Sequence, residues 1–259
     1  MSNIHDYPIR IFYRISDFSQ KTFNKKGKKM IKHRPSWFDK KRCLINLVEC
    51  FPESEISILA DNVKDETIHW LEKTFPNIPV ERSQYGNGAG SFRHVFKQAL
   101  EIVEDRIVYF LEDDYLHKPG SEKVLKEGFK YADFVTLFDH PDKYVNGGEG
   151  KDGVAGNPLI SDESEETRLY KTQSSHWKLT NSTVMTFATT TKIIKADKAG
   201  FEFYSKDDIT RSYPFFRVVI EKRGRKLISS VPGLSAHCES AYMSPFTDWE
   251  AVNNSVTLD

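Results

Sequence analysis

Three consecutive acids, Glu112-Asp113-Asp114, follow the apolar run Ile107-Val108-Tyr109-Phe110-Leu111. Adjacent carboxylates repel, so a core has no ready place for them. A hard divalent cation takes oxygen ligands and would remove that repulsion. The competing reading is an acidic turn facing solvent. Position sets the cation reading level with it, because α/β sheets bind ligands at the carboxyl ends of their strands.

A second candidate is Gly86-Asn87-Gly88-Ala89-Gly90, with Ser91 placed to cap a helix. Glycine-rich backbone at a helix N-terminus presents N–H groups to an anion. Arg93 and His94 would bring charge to the same place. The spacing is not the dinucleotide fingerprint, so a plain connector is the alternative. Asp207-Asp208 stand before a helical stretch, where acids also serve as N-caps and dipole partners. His237 follows Val231-Pro232, and a lone histidine is more often structural than a ligand. His176-Trp177 would stack on a sugar, with a partly buried tryptophan as the alternative. Cys43 and Cys50 lie in one expected helix, ~10.5 Å apart along its axis, too far to bridge. With Cys238 they read as buried, inert thiols.

These residues need elements to hold them. Ile9, Ile11, Tyr13 and Ile15 alternate with Arg10, Phe12 and Arg14, the period of a strand. Leu44, Leu47, Val48 and Phe51 recur at helical spacing, with Ser36 as N-cap and Pro52 as stop. Ile56–Ala60 is a short strand ending in Asp61-Asn62, and a helix from about Asp65 closes at Pro76. Pro79-Val80 is a very short strand. Phe92, Val95, Phe96, Ala99, Leu100 and Val103 form one apolar helical stripe. Strand and helix alternate three times into another strand, which predicts an open, mainly parallel α/β sheet. Arg14-Ser16-Asp17, Asp61-Asn62 and Glu112-Asp113-Asp114 all fall at strand ends.

The second half is less regular. A helix is expected over Ser121–Tyr131, strands over Asp133–Phe138, Thr183–Thr189 and Lys226–Val231, and a helix over about Asp208–Arg223 that Pro214 splits. Asn146–Glu166 is rich in Gly, Ser, Asp and Glu and reads as a long loop. The 259 residues suffice for a real core, and 37 Lys+Arg balance 37 Asp+Glu. Hydrophobic residues at 39% exclude a disordered chain. No apolar stretch reaches the ~18 residues of a membrane helix, and the first residues lack the apolar run of a signal peptide. A cytoplasmic protein of one domain, 1–259, is therefore expected.

Taken together, the glycine loop with Arg93, the amphipathic helix and Val108–Asp114 resemble the GT-A glycosyltransferases, especially the family 2 type. There a loop of the form N-x-G-x-x-x-A-R leads through a helix to a strand ending in D-x-D. Here Glu112 stands at the first acid position, and Ser91-Phe92-Arg93 replaces Ala-Arg-Asn. The resemblance implies a GT-A-like fold: a Rossmann-like nucleotide-binding half over about 9–118 and an acceptor half over about 119–245. It implies Mn²⁺ or Mg²⁺ on Asp114, with Glu112 and Asp113 reaching the ribose or the metal's waters. His237 would complete the metal or phosphate site. Asp61 matches the contact to the nucleoside base, and Arg14, Asp17 and Arg93 fall on the donor side. One of Asp207 and Asp208 resembles the catalytic base, Asp208 standing nearer the helix start. His176 and Trp177 fall on the acceptor side.

The implied activity is metal-dependent transfer of a sugar from a nucleoside diphosphate, UDP favoured, to a hydroxyl of a glycan or lipid-linked acceptor. Inversion and a place in surface polysaccharide synthesis follow from the same resemblance. Two alternatives stand. A sugar nucleotidyltransferase would show a lysine-containing glycine loop near the first strand, where this chain has Ile15-Ser16-Asp17-Phe18. A non-catalytic nucleotide- or carbohydrate-binding module would bind without turnover. The run Lys21–Arg42 holds ten Lys/Arg against Asp39 alone. It reads as a solvated loop, a peripheral contact with anionic lipid at the inner face of the membrane, or a reach toward the donor phosphates. Nucleic acid is not expected of a charge-balanced chain without a recognisable motif.

Overall fold

The apolar alternation at the start of the chain forms β1 (Arg10–Ile15), followed by the short pair β2 (Thr22–Phe23) and β3 (Lys29–Met30). Then come α1 (Lys40–Cys50), β4 (Glu55–Asp61), α2 (Asp65–Thr74), β5 (Val80–Ser83), α3 (Gly88–Leu100), β6 (Ile107–Glu112) and β7 (Tyr115–His117). The chain continues through α4 (Ser121–Gly128), β8 (Phe134–Thr136), β9 (Leu169–Lys171), β10 (His176–Thr180), β11 (Phe187–Thr190), α5 (Thr191–Ala196) and α6 (Lys198–Tyr204). It closes with α7 (Ser212–Arg223), β12 (Leu227–Val231), β13 (Ser235–His237) and α8 (Trp249–Ser255). This computed structural model describes residues 4–17, 22–23, 29–30, 33–144, 167–208 and 210–258. The expected loop Asn146–Glu166, Ile209 and much of the basic run lie outside them.

The chain divides into two compact units: Met1–Lys32, Glu53–Asp113 and Val184–Val219 form the first, and His33–Pro52, Asp114–Thr183 and Ile220–Asp259 the second. In the first unit the strand order is β5-β4-β1-β6-β11. The first four run parallel, with Ile11 facing both Ile56 and Tyr109, while β11 is antiparallel to β6. Strands buried on both faces carry the near-continuous apolar runs seen at β1 and β6. Phenylalanines fill the space beside the sheet: Phe110 meets Phe92 and Phe187 at 5.2 and 5.5 Å, and Phe201 meets Phe96 and Phe215 at 4.9 and 4.4 Å between ring centroids.

In the second unit β8 and β12 are parallel, and β10 and β9 follow antiparallel in the order β8-β12-β10-β9. A separate ribbon pairs β7 with β13, setting Tyr115 opposite His237. Cys43, Leu116, Ala236, Cys238 and Trp249 form a core beneath it.

Several boundaries differ from expectation for local reasons. Asp39, not Ser36, caps α1, accepting from the Lys41 and Arg42 N–H groups. Asn87, not Ser91, caps α3 by accepting from Gly90 N–H, so the glycines form the helix's first turn rather than a loop before it. Gly90 is required there, since a Cβ would lie 2.7 Å from that of Tyr85. Pro214 sits in the first turn of α7, where its missing N–H costs no helical bond, so it starts the helix instead of splitting it. The strand expected from Thr183 begins at Phe187.

Candidate functional site

In the first unit the sheet brings three expected residues to the carboxyl ends of neighbouring parallel strands. Asp61 ends β4, Arg14 sits near the end of β1, and Glu112 ends β6 opposite Arg14. Arg14 is buried. Its guanidinium donates to Glu112 Oε1 (3.1 Å), the Gly88 carbonyl (3.0 Å) and Ser91 Oγ (3.3 Å), joining the acidic strand end to the glycine turn. It also lies over the Phe92 ring, 5.6 Å from the centroid. Asp113 Oδ2 accepts from Ser16 N–H at 2.9 Å.

Asp61 is buried and shapes the next connection. Its carboxylate accepts from Ser83 Oγ (2.8 Å), Tyr85 N–H (2.6 Å) and Gly86 N–H (3.0 Å). Gly86 has φ +67°, a left-handed conformation that favours glycine. Asp17 accepts from Lys64 N–H (2.6 Å) and Thr67 Oγ1 (2.8 Å), fastening the start of α2. Beside Asp61 opens a cleft of about 720 Å³, lined by Asn62, Lys64, Asp65, Arg82 and Ser83 among others.

Arg93 does not point charge freely into the glycine turn. It donates to the carbonyls of Ser205 and, at 2.9 Å, Asp207, tying the segment with the two expected acids to α3. The Asp207 carboxylate pairs with Arg211 at 2.7 Å, and both side chains are exposed. Asp208 is exposed as well.

Asp114, next after Asp113 in the chain, belongs to the second unit. Only 4% of its side chain is exposed. Oδ2 accepts from Arg34 Nη2 at 2.5 Å and lies 3.1 Å from His237 Nε2. His237 stacks on Tyr115, with centroids 5.0 Å apart. Arg34 also donates to the Cys238 carbonyl at 2.7 Å and lies 4.7 Å above the Phe38 ring. Trp177 is 0% exposed and donates to Thr172 Oγ1 at 3.1 Å. It is a core residue with no face open to a sugar, which corrects its expected place on the acceptor side. His176 is exposed at the start of β10.

The leading ligand expected for a cation, Asp114, meets Arg34 and His237 through Oδ2, while its Oδ1 is buried as well. Among the described residues no group of three or more His, Cys, Asp or Glu is arranged to hold a metal ion.

Sequence reasoning missed a dense polar cluster that follows β8 in the second unit. Asp139 and Lys178 form a buried pair at 2.8 Å. Lys143 Nζ, also buried, donates to Asn181 Oδ1 (2.8 Å) and Ser182 Oγ (2.6 Å). His140 Nδ1 lies 2.8 Å from Asp142 Oδ1. Burial pushes the Asp142 carboxyl up, but the hydrogen bond and charge of His140, with Lys143 beside it, outweigh that and hold it below its ordinary value. The rule that singled out the other strand ends applies equally after β8. Arg34 was visible only as one cation among ten in the basic run.

No family model matches the chain, and no curated protein matches it by sequence. Solved structures do. A putative glucose-1-phosphate thymidylyltransferase from Bacillus anthracis superposes with a TM-score of 0.52 at 11% identity, covering 97% of each chain. The galactosyltransferase LgtC, solved with donor and acceptor sugar analogs, gives 0.51 at 10% identity over 96% of this chain and 97% of its own. The chain spans 49% of the bifunctional IspDF of Campylobacter jejuni, at 15% identity and a TM-score of 0.44. With parallel strands β5-β4-β1-β6 in one unit and the mixed set β8-β12-β10-β9 in the other, the chain has a GT-A-like α/β fold.

Proposed function

We propose that the chain is a glycosyltransferase that moves a sugar from a nucleoside-diphosphate donor, a UDP-sugar first, to a hydroxyl of a glycan or lipid-linked acceptor. The cleft beside Asp61 carries this reading. Its volume suits a small ligand, and it opens where parallel α/β sheets bind nucleotides. Lys64 and Arg82, the latter paired with Asp65, supply cationic charge, while Asn62 supplies a neutral amide. Asp61 holds the wall in shape through the Ser83–Gly86 backbone, so its part in base recognition is through that wall.

In this reading Asp208 takes the proton of the acceptor hydroxyl as its oxygen attacks the anomeric carbon and the bond to the diphosphate oxygen breaks, with inversion. Its exposure leaves it open to an incoming hydroxyl. Arg93 positions the segment that carries it. Surface polysaccharide synthesis, with the Lys21–Arg42 run touching an anionic membrane surface, belongs to the same proposal.

Calorimetric titration of UDP, then GDP, with Mn²⁺ and again with EDTA, tests the donor site. Binding of one nucleotide, followed by its release from the matching nucleotide sugar on adding acceptor glycans, is the expected result. Failure of both nucleotides to bind would sink the reading. A sugar nucleotidyltransferase has the same architecture, as the thymidylyltransferase likeness illustrates. It would release pyrophosphate from a nucleoside triphosphate and a sugar phosphate instead.

A further inference from the structure

In the first unit the wall of the cleft runs into a line of three titratable side chains that the proposed reaction does not use. Tyr85 Oη lies 3.0 Å from His94 Nδ1, and His94 Nε2 lies 2.9 Å from Glu81 Oε1. Gln98 Nε2 donates to the other Glu81 oxygen at 2.7 Å. Glu81 stands on β5, His94 and Gln98 lie four apart on one face of α3, and Tyr85 stands in the connection between the two elements. Tyr85 is fixed at its other end as well. Its N–H bonds Asp61, and its ring packs against Gly90, where a Cβ has no room. The proton positions follow from the partners. A carboxylate only accepts, so in the neutral imidazole Nε2 carries the hydrogen toward Glu81 and Nδ1 keeps a lone pair for the phenol O–H.

A hydroxyl, a base within hydrogen-bond reach and a third group orienting that base together make an activated nucleophile. Tyr85 is 45% exposed, so its ring is reachable from solvent. Ser83 and Gln84, the two residues before it, line the cleft, and one Asp61 oxygen holds both Ser83 Oγ and Tyr85 N–H. From this geometry we infer that Tyr85 is a covalent modification site whose phenol oxygen takes the sugar of a nucleoside-diphosphate donor. The sugar rests on the function proposed above; the activation of the phenol by His94 does not. The phenol oxygen bonds the anomeric carbon as the bond from that carbon to the diphosphate oxygen breaks. The electron pair leaves with the nucleoside diphosphate, and the phenol proton passes to His94 Nδ1. Glu81 then faces an imidazolium and stabilises it.

The test uses the full chain and two probes. N-acetylimidazole, which acylates phenols, reads the activation alone. UDP- and GDP-sugars with Mn²⁺ and no acceptor glycan read the transfer, by intact mass and by mapping the modified peptide. The parent gains one sugar on Tyr85, and Tyr85→Phe gains none. His94→Ala slows both the acetylation of Tyr85 and the gain of sugar by about tenfold or more. Free imidazole restores part of the transfer in His94→Ala, a rescue that a merely structural ring would not show. Near-UV circular dichroism checks the fold of each variant, and calorimetry with UDP and GDP checks the cleft. Equal acetylation of Tyr85 in the parent and in His94→Ala would overturn the activation. A chain that binds UDP or GDP and transfers sugar to glycans, yet gains none on Tyr85, would overturn the inference while leaving the donor reading intact. If neither nucleotide binds, the donor reading falls and takes the sugar on Tyr85 with it.

Discussion

Arg14 Nη2 lies 3.1 Å from Glu112 Oε1, a buried guanidinium reaching across two parallel strands to an acid that is one-third exposed. The same guanidinium bonds the Gly88 carbonyl and Ser91 Oγ. One residue therefore sets the acidic strand end and the first turn of α3 in a common frame. Removing it leaves three acceptors to find other partners, but Glu112 can turn toward water. Arg14→Met should therefore cost about 1–3 kcal/mol, less than the ~3–5 of a fully buried pair. Urea unfolding measures the loss, and UDP titration should show affinity falling with it. Unchanged stability would mean that the pair is not formed.

Asp61 illustrates a site residue whose work is architectural. Asp61→Asn keeps the size but turns one acceptor oxygen into a donor facing Ser83 Oγ and the Tyr85 and Gly86 N–H groups. The wall of the cleft should loosen, with about 1–3 kcal/mol lost. Nucleotide affinity should drop, while Ser83→Ala, which removes one bond, should cost less in both measurements. Equal losses in the two variants would contradict this division.

The first unit was legible because strand and helix periods were clean and Arg14, Asp61 and Glu112 each stood where an apolar run stopped. The polar cluster after β8 was not. Asp139, Lys143 and Lys178 are charged types that sequence patterns place at the surface, and only the fold pairs them in the interior. Trp177 failed the other way: its partner Thr172, five residues upstream, satisfies the indole N–H and permits full burial. The caps of α1 and α3 were misplaced because side-chain oxygens at Asp39 and Asn87 compete with nearby serines, and geometry alone decides.

The burial of Trp177 has its own consequence. Trp177→Ala should destabilise by about 3–5 kcal/mol, and Trp177→Phe by less. Trp177→Phe should leave acceptor kinetics unchanged, and added glycans should not quench the emission that Trp177 contributes to the parent. Quenching of the parent chain by an acceptor sugar, lost in Trp177→Phe, would return the residue to the acceptor side.

In the proposed mechanism Asp208 carries the chemistry and Arg93 only positions it. Asp208→Asn should lower kcat by about 10²-fold or more with donor affinity unchanged, as expected for loss of a general base. Arg93→Ala removes two bonds to the Ser205 and Asp207 carbonyls. It should lower kcat by roughly tenfold, by misplacing the segment, and leave the pH profile's shape alone. An unaltered kcat in Asp208→Asn would move the base elsewhere.

Acid should weaken the protein through His117. The imidazole is fully buried, and that burial pulls it down to about 3. It stacks edge-on to Phe51 with centroids 5.2 Å apart, while its backbone is clamped by Asn46. An unfolded chain takes up a proton near the ordinary value of 6.5. The folded chain does not, so between about pH 6.5 and 3 the unfolded state binds more protons and stability falls as pH falls. The slope from this group is up to about 1.4 kcal/mol per pH unit. Above pH 7 it contributes none. Urea midpoints at pH 7.5, 5.5 and 4.5 should therefore decline in the parent and decline less steeply in His117→Phe, whose ring keeps the contact with Phe51 and has no proton to gain. Parallel declines in the two proteins would assign the acid sensitivity to other groups.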